Sequence, residues 1–362
     1  MLKNLGIGRV IAPKAPLTSV DIARLAGVAP STISRVLNRA GGFSKQTERR
    51  VLEVVRKTGY RPSLAASSLS RKANDTIGLI TEIEGQPGYY GPQLIRGISL
   101  ALSQYSKRLA MDTVHRGDEA SSIEKLPLFR SRSVDGYIFD THQAAGDLQG
   151  MANHLSLPYV FVNSRYTLPI NTIMPDDVDA AKQATEHLIR HGHKRIGYFP
   201  SAYTQVHSSQ ENRMKGYLQA ILTAGLQPVP MWDVPLDKKG KWLTVDDYLP
   251  RLKTYLDEFK CTAVVTYHAF AAACVFSGCY QLGIRVPQDL SIIASDYDPI
   301  LEYLPVRITS IQLDRIEIGK LAVEMLIQQI DNPEDNQITT VLVDGSLKKF
   351  DSVGPPAADR SA

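Results

Sequence analysis

The sequence predicts an α/β protein with two parts: an N-terminal three-helix unit that contains a helix-turn-helix, and a larger part with two lobes, each built on a doubly wound parallel sheet. Three observations lead to this fold class. Residues 17–38 have the spacing of two short amphipathic helices joined by a three-residue turn. From residue 76 onward, apolar runs typical of buried strands alternate with helical segments. The chain of 362 residues is also long enough for several domains.

The first helix of the helix-turn-helix is predicted to begin after Thr18. This threonine can cap the helix, with Asp21 three positions later as its acidic partner. Gly27 is predicted to end the helix, because glycine readily adopts the left-handed conformation of a C-terminal cap. The face predicted to be buried contains Ile22, Leu25 and Ala26.

The second helix is predicted to begin at Pro30, where the missing N–H of proline is not needed. Its opposite face carries small polar and basic side chains of a size that suits contacts with bases and phosphates in the DNA major groove. A generic helical hairpin that binds no DNA is the alternative. The apolar face contains Ile33, Val36 and Leu37, and the polar face contains Ser31, Thr32, Ser34, Arg35 and Asn38.

A third helix is predicted over 45–58, with Ser44 as its N-terminal cap and Gly59 directly after its end. Three helices of this size can bury only a small core. The apolar residues that the third helix brings to this core are Val51, Leu52, Val54 and Val55.

Charge is distributed unevenly along the chain. Residues 1–73 contain 14 Lys and Arg residues against 3 Asp and Glu, whereas the remainder contains 27 against 34. The overall formal net charge of +4 therefore combines a strongly basic N-terminal part with an acidic body. Such an asymmetry is the electrostatic signature of phosphate binding and favours the DNA-binding interpretation of the helix-turn-helix.

The larger part repeats the order strand, helix, strand, which predicts parallel sheets covered on both faces. The strand-like runs are TIGLITEI, RLAMDTVH, VDGYIFD and LPYVFVN in the first lobe, and KRIGYF, TAVVTY and LSIIAS in the second. Helices are predicted near 93–106, 121–131, 179–191, 211–224 and 270–282. Ligands of open α/β sheets bind at the carboxyl ends of strands, so a site between the lobes is expected.

The run VDIARLAGVAPSTISRVLN, followed by Tyr60-Arg61-Pro62 and LAASSLS, resembles the headpiece and hinge of the LacI/GalR (lactose/galactose repressor) family of bacterial transcription factors. The resemblance continues through EHLIRHGHKRIGYF, RMKGYLQAI and QDLSIIASDYDP to ITSIQLDRIEIGKLAVEMLIQQI, and only residues 1–16 lie outside it. It implies a periplasmic-binding-protein-like effector domain, in which the chain crosses between the lobes three times and a ligand binds in the cleft.

The resemblance also implies a ligand-responsive regulator, a repressor, that binds a near-palindromic operator in double-stranded DNA as a homodimer. The implied effector is a sugar or sugar derivative. No heptad repeat of leucines follows at the C-terminus, so dimers rather than tetramers are expected. The predicted divisions are a flexible extension at 1–16, the headpiece at 17–61, a hinge helix and linker at 62–75, the effector-binding and dimerisation domain at 76–356, and a disordered tail at 357–362.

Among the DNA-binding residues that the resemblance implies, Arg35 matches the family's base-reading arginine, whose guanidinium can donate two hydrogen bonds to a guanine. A solvated surface charge is the alternative. Pro30 and Ser31 lie at positions that vary between family members and help to select the operator. Ala29 replaces the usual serine cap of this helix. Positions that match phosphate contacts, and that ordinary capping would also explain, are Thr18, Ser34, Asn38, Ser44 and Thr47.

Residues 63–70, SLAASSLS, are too few to form a stable isolated helix, so this hinge is predicted to fold only on DNA. The resemblance implies that Leu69 enters the minor groove at the operator centre, with Ala66 one turn earlier. A flexible linker with an incidental leucine is the alternative.

In the effector domain, Arg213 and Asp296 match the family's ligand-binding arginine and aspartate. Together they can bind sugar hydroxyls, which both donate and accept hydrogen bonds; a plain interlobe ion pair is the alternative. Trp242 can supply an apolar ring face on which a pyranose stacks, and Tyr90 matches an aromatic position in the opening loop of the first lobe. Core or rim packing would also explain either residue. Two departures weaken the small-sugar interpretation: Tyr267-His268 replaces a ligand-contacting Asn and the Asp after it, and Leu313 replaces a polar contact.

Other classes of protein are disfavoured. Cys261, Cys274 and Cys279 are odd in number, lack zinc-ligand spacing and lie in apolar sequence, which favours buried free thiols. The eight histidines show no metal-binding spacing, and His191 and His193 match a structural turn of the family. No catalytic motif and no cofactor motif is present, which argues against a sugar-metabolising enzyme. Arg9 and Lys14 interrupt the N-terminal apolar residues, and no long apolar run follows, so a cytoplasmic regulator is expected rather than a periplasmic solute-binding protein.

Overall fold

The computed structural model describes residues 17–37, 40–61, 74–82, 91–114, 125–131, 133–141, 157–163, 169–200, 208–232, 243–335 and 337–357. The chain divides into two compact units between Asn74 and Asp75. The N-terminal extension, the hinge residues 62–73 and the tail from residue 358 lie outside the described residues.

The N-terminal unit contains helices α1 (Ser19–Ala26), α2 (Pro30–Leu37) and α3 (Lys45–Thr58). Thr18 and Asp21 form a capping box: the backbone N–H of Thr18 donates to Asp21 Oδ2 at 2.9 Å, and the Thr18 side chain accepts from the Asp21 N–H. Ser44 caps α3 in a similar way, accepting from the N–H of Thr47 at 3.1 Å. Gly27 and Gly59 end α1 and α3 in the left-handed conformation, as predicted.

The headpiece core is small and apolar, but Leu25 and Leu52, which were predicted to belong to it, are exposed, and Ala23, which was not, is buried. Leu25 is 59% exposed and Leu52 is 46% exposed. The buried face of α1 is centred between Ile22 and Ala23, and at about 100° per residue Leu25 lies about 110° around the helix from that centre. The buried core residues are Ile22, Ala23, Ala26, Ile33, Val36 and Val51.

The first lobe of the second unit is built on a six-stranded parallel sheet with the order β10-β5-β4-β3-β1-β2. Helix α4 (Gly91–Gln104), the short helix α5 (Pro127–Ser131) and helix α10 (Arg315–Asp331) accompany it. The strands are β1 (Thr76–Glu82), β2 (Arg108–Val114), β3 (Gly136–Asp140), β4 (Tyr159–Val162), β5 (Thr172–Pro175) and β10 (Thr340–Val343).

The second lobe is built on a five-stranded sheet with the order β11-β9-β8-β7-β6, in which only β11 is antiparallel to its neighbour. The strands are β6 (Ile196–Phe199), β7 (Ala263–Thr266), β8 (Ser291–Ala294), β9 (Thr309–Leu313) and β11 (Gly345–Lys348). The helices are α6 (Asp177–Arg190), α7 (Ser208–Thr223), α8 (Val245–Asp257) and α9 (Ala269–Gln281), with a 3-10 turn at Pro299–Glu302.

The chain passes between the lobes three times: between β5 and α6, between β9 and α10, and between β10 and β11. The resemblance had implied this number. Consequently neither lobe is a continuous segment, and strand ends from both lobes lie next to the crossings.

Several element boundaries differ from the predicted ones. The helices predicted near 93–106, 179–191, 211–224 and 270–282 each begin one to three residues earlier, and of the helix predicted near 121–131 the structure describes only Pro127–Ser131 as helical. Strands β5, β10 and β11 and helix α8 were not predicted. The strands are four residues each, too short for a clear alternation of apolar residues, and α8 contains Pro250, which normally disfavours a helix interior.

Candidate nucleic-acid interface and ligand cleft

The outer face of α2 is polar and accessible. Pro30, Ser31, Ser34 and Arg35 are exposed and Thr32 is half-buried, while Ile33 and Val36 on the opposite face are buried in the headpiece core. The helix begins at Pro30, and the fixed backbone angle of proline partly offsets the capping hydrogen bond that Ala29 cannot provide. The helix therefore presents hydroxyl and guanidinium groups outward from a rigid apolar base.

The guanidinium of Arg35 lies against the backbone of Gly42. Gly42 has φ +76°, and a side-chain carbon at this position would collide with the Arg35 guanidinium. The left-handed backbone is what favours glycine here, because the end of the exposed Arg35 side chain could move aside.

The remaining predicted headpiece contacts divide into two groups. Thr18, Ser44 and Thr47 take part in the caps of α1 and α3, so their side chains already have a structural role. Asn38, Ala66 and Leu69 lie outside the described residues, as do Tyr90 and Trp242 of the predicted ligand site.

In the second lobe, Arg213 on α7 lies at the centre of a buried cluster of polar groups. Its guanidinium donates to Asp177 Oδ1 at 2.7 Å, to the backbone carbonyl of Tyr267 at 2.6 Å and to Asp296 Oδ2 at 3.1 Å. Only 3% of Arg213 is exposed. Arg213 and Asp296, which were predicted to converge on the cleft, are thus in contact, but within the second lobe rather than as the interlobe ion pair of the alternative. Asp177, at the start of α6, holds the arginine more tightly.

The electrostatics of this pair follow from its burial. Burial disfavours the charge of Arg213, but the carboxylates of Asp177 and Asp296 more than offset it and raise the pKa of the guanidinium above its ordinary value. Burial likewise raises the pKa of Asp177, an effect that the positive charges of Arg213 and Arg315 oppose. Asp177 therefore depends on the positive charges of Arg213 and Arg315 to remain ionised, whereas the guanidinium of Arg213 stays charged.

A second arginine reaches the same carboxylate from the other side. Arg315 is the first residue of α10, directly after the crossing from the second lobe to the first, and its Nη2 donates to Asp296 Oδ2 at 2.9 Å. Its Nη1 donates to Asn163 Oδ1 at 3.0 Å. Asp296 follows strand β8 of the second lobe, whereas Asn163 follows strand β4 of the first.

The polar chain continues into the first lobe. Asn163 donates from Nδ2 to Asp140 Oδ1 at 2.8 Å, and Thr81 donates to Asp140 Oδ2 at 3.1 Å. Thr81, Asp140 and Asn163 lie at the carboxyl ends of β1, β3 and β4, which is where open parallel sheets place their ligand-binding groups. Asn163 has φ +66°, a conformation that asparagine tolerates better than most residues.

Tyr267 and His268, the pair that departs from the family pattern, both have defined partners. The Tyr267 ring lies under the Arg213 guanidinium, 4.5 Å from ring centre to carbon, and its hydroxyl is hydrogen-bonded to Ser209. His268 caps α9, because its Nδ1 accepts from the N–H of Ala271 at 3.0 Å. Burial lowers the pKa of His268 to about 4, so the imidazole is neutral and can accept this bond.

Other predicted residues have structural surroundings. Leu313 is buried in the core of the second lobe. The three cysteines are free and buried, as predicted, and burial raises the pKa of Cys261 to about 12. His193 is hydrogen-bonded to Thr262 and to the carbonyl of Gly354, each at 2.8 Å. Within the described ranges, no group of three or more His, Cys, Asp or Glu residues could hold a metal ion.

Sequence reasoning did not identify Asp177, Arg315, Asn163 or Asp140 as members of this cluster. One signal was available: each lies at or just beyond the carboxyl end of a strand, the position at which ligand sites of open α/β sheets form. The pairing itself joins residues that are far apart in the chain, so no local pattern could reveal it.

Comparisons with known proteins cover almost the whole chain. Residues 19–63 match the bacterial regulatory proteins of the lacI family, and residues 185–352 match a periplasmic binding protein-like domain. The ribose operon repressor of Haemophilus influenzae is 30% identical over 90% of this chain and 95% of its own length. The regulator GalS of Salmonella typhimurium is 28% identical over 86% of this chain and 89% of its own length.

Solved structures show the same fold. The lac repressor dimer bound to operator and the anti-inducer ONPF superimposes with a TM-score of 0.80, at 22% identity, over 94% of this chain and all of that one. The complex of the transcriptional regulator CelR with cellobiose superimposes with a TM-score of 0.65, at 23% identity, over 93% of this chain and 99% of that one. Among the described helices, none combines the length and the apolar character needed to cross a membrane.

Proposed function

This chain belongs to the LacI family of bacterial regulatory proteins, and from that premise we propose that it is a repressor that binds a near-palindromic operator as a homodimer and is controlled by a small ligand bound between its lobes. Two copies of one recognition helix, related by dimer symmetry, match two half-sites of such an operator. A protein with this task acts in the cytoplasm, where the operator DNA is.

The observation that carries the DNA-binding part is the division of α2 into a buried apolar face and an exposed polar one. Arg35 extends from that exposed face, and its guanidinium suits the O6 and N7 acceptors of guanine. The basic excess of residues 1–73 supports the same interpretation, because it attracts phosphates whatever the base sequence. The exposed Ser31 and Ser34 can add contacts to bases or phosphates.

The ligand part of the proposal rests on the cluster of Arg213, Asp296, Arg315 and Asn163 at the strand ends of the two lobes. Such a set of donors and acceptors suits the hydroxyl groups of a carbohydrate or a carbohydrate derivative. The relatives include repressors named for ribose operons, and a similar structure contains cellobiose. The replacement at Tyr267-His268 supports a ligand different from the commonest small sugars of the family.

Purines form a second class of candidate ligand. The relatives include the repressor PurR of Pasteurella multocida, which is 26% identical over 88% of this chain. The PurR relative is what favours this class, since the Arg213 guanidinium already covers one face of the Tyr267 ring.

The DNA-binding part is tested by gel shifts with palindromic operator sequences, comparing the wild type, Arg35→Ala and the control Arg56→Ala. Arg56 is an exposed arginine of α3, outside the recognition helix. We expect Arg35→Ala to lose about 1–3 kcal/mol of discrimination at one symmetric base position, while Arg56→Ala keeps that discrimination. An equal loss by Arg35→Ala on random DNA would make Arg35 a phosphate contact, and no binding to any palindrome by the wild type would contradict the proposal.

The ligand part is tested by a thermal-shift screen of sugars, sugar derivatives and purines, because a ligand that binds the native state raises the melting temperature. The compound that raises it is then retested on Asp296→Asn and on the control Asp351→Asn, whose carboxylate lies in an exposed ion pair with Arg307. We expect Asp296→Asn to lose about one to two orders of magnitude in affinity while operator binding is retained. Unchanged affinity would exclude Asp296 from the site.

A further inference from the structure

Arg315 differs from the other members of the polar cluster, because its side chain is hydrogen-bonded to residues of both lobes. It begins α10, which packs on the sheet of the first lobe, and it directly follows β9 and the capping residue Asp314. Its two terminal nitrogens bind different lobes: Nη2 donates to Asp296 in the second lobe and Nη1 to Asn163 in the first.

The other ion pairs within the described ranges connect residues of the same lobe or of the headpiece. Arg213 joins Asp177 and Asp296 within the second lobe, and Lys107 joins Asp135 within the first. The pair of Arg315 with Asp296 is therefore the ion pair among the described residues that spans the cleft.

The two arginines at Asp296 differ in how far solvent or a ligand can reach their pairs. In the pair of Arg213 with Asp177 both side chains are buried, with 3% of Arg213 and 0% of Asp177 exposed. The side chain of Asp296 is 21% exposed, whereas that of Arg315 is only 5% exposed. A molecule entering the cleft can thus reach the carboxylate that Arg315 holds, but not the carboxylate that anchors Arg213.

We propose that Arg315 is a latch between the lobes: its bonds to Asp296 and Asn163 hold the cleft closed before a ligand arrives, and a ligand that binds Asp296 shares this carboxylate with Arg315. This inference rests on the proposed function, since it treats Asp296 as part of the ligand site. Arg315 is on this view a positioning residue, which sets the balance of open and closed lobes and so the affinity for the ligand.

The latch predicts a change that can be measured without any ligand. Spin labels on Gln104→Cys in the first lobe and Lys253→Cys in the second, both exposed positions, report the distance between the lobes by pulsed electron spin resonance. The native cysteines are buried and their pKa values are raised, so they react poorly with the label. Dilution of labelled with unlabelled chains restricts the signal to distances within one chain.

Arg315→Met removes the latch, and Arg307→Met is its matched control, because Arg307 forms an exposed ion pair with Asp351 within the second lobe. We expect Arg315→Met to lengthen the distance and to lower the ratio of closed to open molecules at least about tenfold, the factor for losing one charge-assisted hydrogen bond. Arg307→Met should keep the wild-type distribution. An unchanged distribution in folded Arg315→Met would overturn the proposal.

Asn163→Gly gives a second route to the same question if Arg315→Met does not fold. It removes the first-lobe partner of Arg315, and glycine tolerates the φ of +66° found there. A shift toward open lobes supports the latch, and a wild-type distance distribution overturns it. Gel shifts on the same samples separate the two proposals. If the wild type does not bind operator DNA, the proposed function is contradicted. The proposed role of Arg315 depends only on the distances measured between the spin labels.

Discussion

The headpiece and the two-lobed unit place their charged groups differently. The described ion pairs of the headpiece, Arg24 with Asp21 and Lys57 with Glu53, are largely exposed, and the core beneath them is apolar. In the two-lobed unit, the guanidinium of Arg213 is buried between two carboxylates. Exposed pairs contribute little to stability but leave their charges available to an outside polyanion, whereas buried pairs fix geometry and are costly to break.

The headpiece and the two-lobed unit also contain glycines with different structural roles. Gly27 and Gly59 in the headpiece have positive φ, and a side-chain carbon at either would meet open space. Gly97, Gly216 and Gly319 in the two-lobed unit have no such backbone requirement, but a side-chain carbon at each would collide with the backbone of a neighbouring helix. The larger unit also has turn glycines of positive φ, such as Gly225 and Gly283, but close helix packing through glycine is described only there.

The sharpest test of the comparison is Arg213→Met. It leaves Asp177 buried without its main partner, so we expect the two-lobed unit to lose about 3–5 kcal/mol of unfolding free energy. Denaturant unfolding with separate probes for the two units measures this loss, and the headpiece transition should not move. The exposed control Arg307→Met should cost less than about 1 kcal/mol. Equal small losses from both variants would mean that burial does not distinguish these pairs.

Acid should destabilise the two-lobed unit and spare the headpiece. Burial lowers the pKa values of His187 and His268 from 6.5 to about 4, so their neutral forms stabilise the native state. This contribution is complete above pH 6.5 and is lost as the pH falls toward 4, because the unfolded chain then binds more protons. Residues 1–61 contain no histidine, and hydrogen bonds from Thr18 lower the pKa of Asp21, so the headpiece contribution persists to still lower pH.

Melting temperatures measured from pH 7 to pH 4 check this expectation. His268→Asn keeps a side chain that can cap α9 but does not titrate, so its melting temperature should fall less steeply than that of the wild type. Parallel curves for the two proteins would show that His268 does not contribute to the acid sensitivity.

Alanine substitutions of two glycines compare close packing with chain reversal. In Gly216→Ala the new carbon would collide with the carbonyl of Val178, and we expect a loss of about 1–3 kcal/mol from the two-lobed unit. In Gly27→Ala the new carbon meets open space but the backbone has φ +62°, so the headpiece should lose only about 1–2 kcal/mol. Calorimetry of both variants measures the difference. A larger loss of unfolding free energy in Gly27→Ala than in Gly216→Ala would show that chain reversal depends on glycine more than close helix packing does.

The smallest expected effect is that of Thr18→Ala, which removes the side-chain half of the capping box of α1. We expect the unfolding free energy of the headpiece to fall by about 1 kcal/mol, because the backbone N–H of Asp21 in the first turn of the helix loses its acceptor. Hydrogen exchange of the first amides of α1 measures this loss locally. Val20→Ala, at an exposed apolar position of the same helix, is the control; alanine favours a helix more than valine does, so this variant should not lower the protection of these amides.

Features that depend on residues close together in the chain could be predicted from the sequence, and features that depend on distant residues could not. The caps at Thr18 and Ser44 and the ends at Gly27 and Gly59 were predicted correctly, because each involves residues within one turn. Leu25 was assigned to the core wrongly, since an eight-residue helix leaves its face ambiguous by about 100°.

In the cleft, the resemblance pointed to Arg213 and Asp296, and the structure brings them together. Asp177, Arg315 and Asn163 were not predicted, because their partners are fixed only when strands of both lobes end at the same cleft. The four-residue strands β10 and β11 were missed for a similar reason: their pairing with β5 and β9 stabilises them, and their own sequence does not.

The three crossings also determine the order in which the protein can be completed during synthesis. The headpiece is contiguous in sequence, so it can fold as soon as it leaves the ribosome. The first lobe, in contrast, needs α10 and β10 from residues 315–343, which are made only after most of the second lobe. Its first strand, which begins at residue 76, therefore waits for some 240 residues of further translation, about 12–50 s at bacterial rates of 5–20 residues per second, before α10 begins to be made.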